Sequence, residues 1–271
     1  MSLAVPLTDK EYAECFNAFK MLSTEWTAMR QWLAQEFLPL MAGRESAKVM
    51  SIGSGTGDFD LVLIRLLSKE IPRISYTALD PNQEHNRIFS ERYGVSGLDL
   101  DSFRIIPRPF GEVDLPESFD LIHMTHCLYY IPDRKEAILQ AYNLPNPGGF
   151  LLIFHQTSMG INEIQRKYMK RVKNDEKEMF SAHDILRIFS ELGLKFNFDI
   201  LISDIDVTDC IAGNENGQKI MNFFLESRLE GLDRTLQEEI IQTLKSICRV
   251  EGGRYFLFHP CGIFWIRRMV S

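Results

Sequence analysis

The sequence lacks a long apolar run, a Lys/Arg-rich tail and any pair of cysteines in a C-x-x-C arrangement. A transmembrane helix needs about 18 or more consecutive apolar residues, so we expect no membrane span and no membrane partner. The formal net charge of −7 makes nucleic acid an unfavourable partner. The five cysteines are scattered and odd in number, which argues against a disulfide framework and a zinc finger. Since the start also shows no signal-peptide pattern, we expect a cytoplasmic protein.

The composition that is present is that of an ordinary globular protein, with 271 residues of which 45% are hydrophobic. Short apolar runs alternate with amphipathic stretches, a pattern typical of a doubly wound, mostly parallel α/β sheet. We predict one domain over 1–271, made of an N-terminal helical segment (1–42), a core (43–156) and a less regular remainder (157–271). The pattern predicts helices at Thr8–Met41 and Pro81–Tyr93, and strands at Lys48–Ile52, Ile74–Leu79, Ser102–Ile106, Phe119–Met124, Phe150–His155, Phe196–Ser203 and Arg254–Arg267.

A glycine-rich loop follows the first predicted strand, with glycines at Gly53, Gly55 and Gly57. Glycine lets the backbone approach a ligand closely and tolerates a positive φ. Dinucleotide sites space their glycines as G-x-G-x-x-G, whereas here the third glycine comes one residue early and is followed by Asp58. An acid at a helix N-terminus disfavours a pyrophosphate. The loop therefore predicts a nucleoside without phosphates, of which S-adenosylmethionine (SAM) is the commonest; a plain glycine turn is the alternative.

An acidic residue, Asp80, ends the next predicted strand, 23 residues beyond Gly57. A carboxylate about 20 residues past a glycine loop can accept hydrogen bonds from ribose hydroxyls. The alternative is a helix N-cap before Pro81. Both roles are compatible with the sequence.

A third feature is the turn Asn146-Pro-Gly-Gly that leads into an apolar strand, and a fourth is the strand Ser118–Met124. Together with the glycine loop and Asp80, these features resemble class I SAM-dependent methyltransferases, in the expected order over about residues 48–155. The resemblance implies a Rossmann-like, doubly wound, seven-stranded sheet with a small helical substrate-covering region. It also implies SAM as cofactor and S-adenosyl-L-homocysteine (SAH) as product. From the residues, we expect no metal.

Three segments show a narrower resemblance, to the family of histamine N-methyltransferases: Ser23–Glu25, Ile122–Asp133 and Asp209–Gly217. This resemblance implies transfer of a methyl group to a nitrogen of a small amine or imidazole-type metabolite. The N-terminal segment 1–42 would then cover the active site, together with parts of 157–271.

The residue patterns and the resemblance together predict roles for individual residues. The cofactor would contact Gly53, Ser54, Gly55, Gly57, Asp80, Pro81, His85 and Thr125. The acceptor would contact Glu25, Phe16, Phe19, Tyr129, Tyr130 and His259, with Glu25 and His126 as catalytic residues. The chain departs from the family pattern where His126 replaces a glutamine, Pro260 falls near an asparagine, and Ile161 and Gln165 fall near tryptophans.

Several alternatives remain open from the sequence. Glu25 could be a solvated helix acid, and His126 a loop histidine bonded to the backbone. A metal at His123 and His126 is disfavoured, because side chains alternate along a strand. The acceptor could be an oxygen of a small metabolite, or the protein could bind SAM without catalysis. The protein could be a monomer or a homodimer.

Overall fold

The computed structural model describes residues 5–113, 115, 118–174 and 179–269. Its helices are α1 (Asp9–Leu22), α2 (Glu25–Trp32), α3 (Leu38–Met41), α4 (Asp58–Leu67), α5 (Gln83–Gly94), α6 (Arg134–Asn143), α7 (Ile161–Lys173), α8 (Ala182–Glu191), α9 (Thr208–Ala212), α10 (Glu215–Leu225) and α11 (Arg234–Ile247). Its strands are β1 (Ser46–Ile52), β2 (Arg73–Leu79), β3 (Ser102–Ile106), β4 (Phe119–Thr125), β5 (Pro145–Gln156), β6 (Asn197–Leu201), β7 (Asp204–Asp206), β8 (Arg249–Glu251), β9 (Arg254–Phe258) and β10 (Cys261–Arg267).

The described residues fall into two compact units. We call residues 29–155, 184–200 and 262–271 the sheet unit, and residues 1–28, 156–183 and 201–261 the helical unit. In the described part of the chain, no helix is both long enough and apolar enough to cross a membrane.

The sheet unit is built on a seven-stranded sheet with the order β3-β2-β1-β4-β5-β10-β6. β1 runs parallel to β2 and β4, and the pairs β2–β3 and β4–β5 are parallel as well. The centre of the sheet is apolar on both faces, as Val49, Ile52, Leu121 and Ile153 are at most 1% exposed. The strand order reverses between β1 and β4, and ligands of such sheets bind at this switch point beside the carboxyl ends of the strands. The predicted doubly wound, seven-stranded sheet is confirmed.

The N-terminal helical segment is not one continuous helix. α1 ends where Ser23 adopts an extended conformation, and a π-helical turn (Leu33–Phe37) separates α2 from α3. Residues 29–41 belong to the sheet unit. There, the buried Trp32 ring contacts Phe37, Phe154 and Trp265.

The helical unit packs α1, α7, α9, α10 and α11 around one apolar core, whose buried members include Phe19, Tyr168, Ile220, Phe224 and Leu244. It also contains a three-stranded antiparallel sheet with the order β7-β9-β8. The prediction of a single last strand over Arg254–Arg267 is wrong. His259 and Pro260 separate β9 from β10, which lie in different sheets. Proline lacks the N–H that a continuing sheet ladder needs.

Candidate functional site

The glycine loop connects β1 to α4 at the switch point of the sheet. A Cβ on Gly53 would overlap the side chain of Cys127, and a Cβ on Gly57 would overlap the ring of Phe89. Both positions therefore need glycine, and both have a positive φ. Gly55 instead faces open space, since a Cβ added there would meet no heavy atom within 4 Å. The loop is packed from behind and open at Gly55, where a ligand has room.

Asp80 is tied to the glycine loop by its carboxylate. Oδ2 accepts a hydrogen bond from the Gly55 N–H at 2.9 Å, and Oδ1 accepts one from the Asn82 N–H at 2.9 Å. His85 Nδ1 lies 3.5 Å from the same Oδ1. Burial opposes ionisation of Asp80, but hydrogen bonds from His85, Asn82 and Gly55 outweigh it and hold its pKa below the usual range. Asp80 is therefore an ionised acceptor at neutral pH.

The helix after Asp80 begins later than the sequence pattern predicts. Asn82 is the N-cap of α5, because its side chain accepts hydrogen bonds from the N–H groups of Glu84 and His85. Pro81 is exposed and precedes the helix. The carboxylate of Asp80 thus does not serve as the N-cap.

Asp58 is paired with a cationic side chain, which the sequence analysis did not predict. Arg92 Nη1 lies 2.6 Å from Asp58 Oδ2, and the Thr56 hydroxyl donates to the same oxygen at 2.6 Å. The ion pair compensates the negative charge at the start of α4. The ion pair therefore weakens the argument that Asp58 selects the charge of the ligand; the spacing of the glycines and Asp80 carry the cofactor argument without it.

Three ring side chains lie near the carboxyl ends of β4 and β5, those of His126, Tyr129 and His155. His126 follows β4 with a φ of 49°, and its N–H donates to the Phe154 carbonyl at 2.9 Å. The ring of His155, which is wholly buried near the end of β5, lies 6.3 Å from that of His126 and 5.3 Å from that of Tyr129. A left-handed conformation at a histidine is uncommon and typical of functional loops. Tyr130 is 65% exposed.

His155 was not identified from the sequence. Its position near the carboxyl end of β5, beside the switch point, was the available signal, since ligands of this fold bind there. The apolar run before it masked that signal, because such a run is typical of a buried core strand.

The helical unit holds the other predicted acceptor residues. Thr24 and Asp204 exchange hydrogen bonds that join the start of α2 to β7. The next residue, Glu25, is 3% exposed, and its N–H donates to the Ser23 hydroxyl. Carboxylates are rarely buried this far without compensation. Glu25 is therefore not the solvated helix acid that the sequence left open.

Phe16, Phe19 and His259 form part of an aromatic group in the helical unit. The Phe19 ring lies 6.1 Å from that of Phe16 and 6.3 Å from that of His259. His259 is buried, and its Nδ1 accepts a hydrogen bond from the Ile161 N–H at 3.4 Å, at the start of α7. His259 thus has a structural role at this helix terminus.

The residues at the switch point fit the nucleoside part of SAM. Asp80 offers carboxylate oxygens for ribose hydroxyls, and Gly55 leaves open space beside it. The Ser54 hydroxyl is buried and has no hydrogen-bond partner among the described residues. An orphaned buried hydroxyl carries an energetic penalty that a ligand can relieve. Thr125 ends β4 at the same edge of the sheet.

Comparisons with known proteins agree with this geometry. The model of a family described as methyltransferase domain matches residues 26–197. Histamine N-methyltransferase of Cavia porcellus is 28% identical over 90% of this chain and 91% of its own length. Carnosine N-methyltransferase 2 of Gallus gallus is 27% identical over 87% of this chain and 80% of its own.

A solved structure shows the same fold. The N-methyltransferase NodS of Bradyrhizobium japonicum, in complex with SAH, aligns with a TM-score of 0.51 and 14% identity over 96% of this chain and 99% of that one. The family match extends over more than half of the chain, across the glycine loop, Asp80 and the ends of β4 and β5. The chain thus belongs to the methyltransferase domain family and is a SAM-dependent methyltransferase of class I fold.

Proposed function

We propose that this enzyme transfers a methyl group from SAM to a nitrogen of a small amine or imidazole-type metabolite. The observation that carries the proposal is the buried carboxylate of Glu25 in the helical unit, 3% exposed. A buried carboxylate favours a cationic ligand by charge pairing. The similarity to histamine and carnosine N-methyltransferases supports the nitrogen acceptor and does not favour an oxygen acceptor or a non-catalytic protein. The net charge of −7 also supports a small molecule over nucleic acid.

On the cofactor side, Asp80 would accept the ribose hydroxyls and Ser54 would bond through its orphaned hydroxyl. Gly53, Gly55, Gly57, His85 and Thr125 would complete the contacts, while the exposed Pro81 would contribute least. Bound SAM supplies a methyl group that is already activated on a sulfonium. The chain's own task is therefore to hold the acceptor nitrogen in line and to exclude water, which lowers a barrier by about 7–11 kcal/mol at best.

On the acceptor side, Glu25 would pair with the substrate ammonium, and Phe16 and Phe19 would contribute apolar surface. In the sheet unit, His126 and Tyr129 stay predicted acceptor residues, and we add His155 because its ring lies 5.3 Å from that of Tyr129. Tyr130 is largely exposed and His259 bonds to α7, so we assign these two residues a smaller role.

The acceptor nitrogen must present a lone pair, so it must be neutral when it reacts and is not the ammonium that pairs with Glu25. We assign to the His126 imidazole the role of accepting the proton that the acceptor nitrogen releases. We also propose that no metal is required, because the donor needs no Lewis acid. Dialysis against EDTA should then leave the transfer rate unchanged, and a loss of rate that zinc or magnesium restores would contradict this point.

The proposal is tested with a panel of amines, imidazoles, phenols and carboxylates, incubated with methyl-labelled SAM and analysed by mass spectrometry. Labelled products should form from amines or imidazoles. Transfer to phenols or carboxylates alone would establish the oxygen acceptor. SAM binding with no product on the whole panel would favour the non-catalytic alternative.

The charge role is tested with Glu25→Gln, which keeps the size of the side chain and removes its charge. Loss of one partner of a desolvated ion pair is typically worth about 2–5 kcal/mol, so the KM of the cationic acceptor should rise at least about tenfold. The affinity for SAH should not change. Glu14→Gln, the same charge change at an exposed position of the helical unit, is the matched control. An unchanged KM in Glu25→Gln would contradict the amine proposal.

A further inference from the structure

A chain of buried polar side chains crosses the sheet unit beneath the switch point. The Tyr76 hydroxyl lies 2.9 Å from Asp60 Oδ1 and 2.7 Å from His123 Nε2. His123 Nε2 is 3.8 Å from the same carboxylate oxygen. All three residues are at most 2% exposed. The proposed transfer uses none of them.

The chain continues at both ends. Ser51, 1% exposed, hydrogen-bonds to Asp60 and so lowers its pKa against the larger effect of burial. On the other side, His123 Nδ1 lies 3.4 Å from the Thr125 hydroxyl. We call Ser51, Asp60, Tyr76, His123 and Thr125 the buried network.

Each member of the buried network lies on an element that borders or contains a predicted cofactor residue. Ser51 on β1 is two residues before Gly53, and Asp60 on α4 is three residues after Gly57. Tyr76 on β2 is four residues before Asp80. His123 and Thr125 are on β4, whose end precedes His126. One hydrogen-bonded group thus joins the elements that meet at the switch point.

Burying a polar group costs free energy unless the group is hydrogen-bonded, and apolar side chains would fill this space without that cost. The tyrosine hydroxyl has one proton and two neighbours, so it can donate to only one of Asp60 and His123 and must accept from the other. Burial raises the pKa of Asp60 to about 7 and lowers the pKa of His123 to about 3. The Tyr76 hydroxyl donates to Asp60 Oδ1 and accepts from Nε2 of a neutral His123, so both neighbours of the hydroxyl are satisfied, and a protonated Asp60 leaves no buried charge.

We infer that Asp60, Tyr76 and His123 are positioning residues that hold the glycine loop, the end of β2 and the end of β4 at the spacing that SAM and SAH require. The geometry determines the distances between α4, β2 and β4 through directional hydrogen bonds, which apolar packing does not provide. The inference concerns the cofactor side alone and does not depend on the nature of the acceptor.

The test is the affinity for SAH, measured by titration calorimetry without any acceptor. Tyr76→Phe removes one hydroxyl and leaves Asp60 and His123 without their shared partner, so the Kd for SAH should rise about tenfold or more, the equivalent of about 1.4 kcal/mol. Tyr168→Phe is the matched control, because Tyr168 is equally buried in the helical unit and its hydroxyl bonds to Thr243 at 2.6 Å. This control should keep the wild-type Kd.

A second pair of variants separates positioning from stability. Asp60→Asn retains a neutral donor and acceptor and should keep the wild-type Kd within about twofold, while the apolar Asp60→Leu should raise it as Tyr76→Phe does. Folded Tyr76→Phe protein with the wild-type Kd would overturn the inference. If Tyr76→Phe does not fold, equal SAH affinities of Asp60→Asn and Asp60→Leu would overturn it instead. Failure of the amine proposal would leave these results unaffected, because no acceptor is present.

Discussion

Asp80 combines two functions at the scale of a single residue. Its carboxylate holds the glycine loop through the Gly55 N–H and remains ionised for a ligand. Asp80→Ala removes both functions, and each charge-assisted hydrogen bond is worth about 1.5–3 kcal/mol. We expect the affinity for SAH, measured by calorimetry, to fall by at least about tenfold. An unchanged affinity would contradict the ribose assignment.

The shifted pKa values of Asp60 and His123 predict how the free energy of unfolding depends on pH. In the native protein, burial gives Asp60 a pKa of about 7, against 3.8 ordinarily, and gives His123 a pKa of about 3, against 6.5. Between about pH 4 and 6.5 the native pair holds one proton, on Asp60, and the unfolded pair also holds one, on His123. The opposite contributions of Asp60 and His123 to the pH dependence of the free energy of unfolding therefore cancel in the wild-type protein. The nearby Asp58 raises the pKa of Asp60 electrostatically, in the same direction as burial.

Single variants should expose the two opposite slopes. In His123→Gln the native state binds the extra proton of Asp60, so the free energy of unfolding should fall as pH rises from about 4 to 7, by up to about 1.4 kcal/mol per pH unit. In Asp60→Asn the unfolded state binds the extra proton of His123, so the free energy of unfolding should rise between about pH 3 and 6.5. Urea unfolding of both variants and the wild-type protein at several pH values measures these slopes. Slopes of the same sign in the two variants would contradict a native state in which Asp60 is protonated and His123 is neutral.

At the scale of elements, the segment from Asp209 to Gly217 is a helix junction. Asp209 accepts hydrogen bonds from the side chains of Asn214 and Asn216, each at 2.7 Å. Asn214 caps α10 by accepting from the Gly217 N–H at 2.9 Å. The distinctive sequence of this segment thus has a structural cause in the packing of α9 against α10.

Gly217 provides the test of that junction. A Cβ at this position would overlap the Asp209 carbonyl, although alanine normally stabilises a helix relative to glycine by about 0.5–1 kcal/mol. Gly217→Ala should therefore destabilise the protein, by about 1–3 kcal/mol as overpacking does. Gly231→Ala, which meets no atom within 4 Å, is the control and should be nearly neutral. Stabilisation by Gly217→Ala, measured by urea unfolding, would contradict the close packing.

At the scale of the whole molecule, the cysteines are free and mostly buried. Burial raises the pKa of Cys127 and of Cys210 to about 12 and that of Cys248 to about 11. Since the thiolate is the reactive form, alkylation of the native protein by iodoacetamide near pH 7 should be slow, with Cys248, the one that is only half-buried, reacting first. All five should react in urea, and a reducing agent should not change the melting temperature. Rapid labelling of several native thiols would contradict this burial.

The sequence by itself determined the class of fold and the cofactor loop. Both depend on local patterns: the alternation of strands and helices, the spacing of the glycines, and an acid at the end of the next strand. These patterns predicted the doubly wound sheet and the position of Asp80, because neighbouring parallel strands bring their carboxyl ends to one edge. The resemblance to class I methyltransferases implied the seven strands of that sheet.

Only the tertiary structure decided the contacts between residues far apart in the chain. The pairing of Asp58 with Arg92, the burial of Glu25 and the ring contacts of His155 follow from packing. So does the division of the last predicted strand between two sheets. The network of Asp60, Tyr76 and His123 is of the same kind, since none of these residues forms a motif in the sequence. Hydrogen-bond partners and desolvation depend on which elements meet, and local spacing carries no such information.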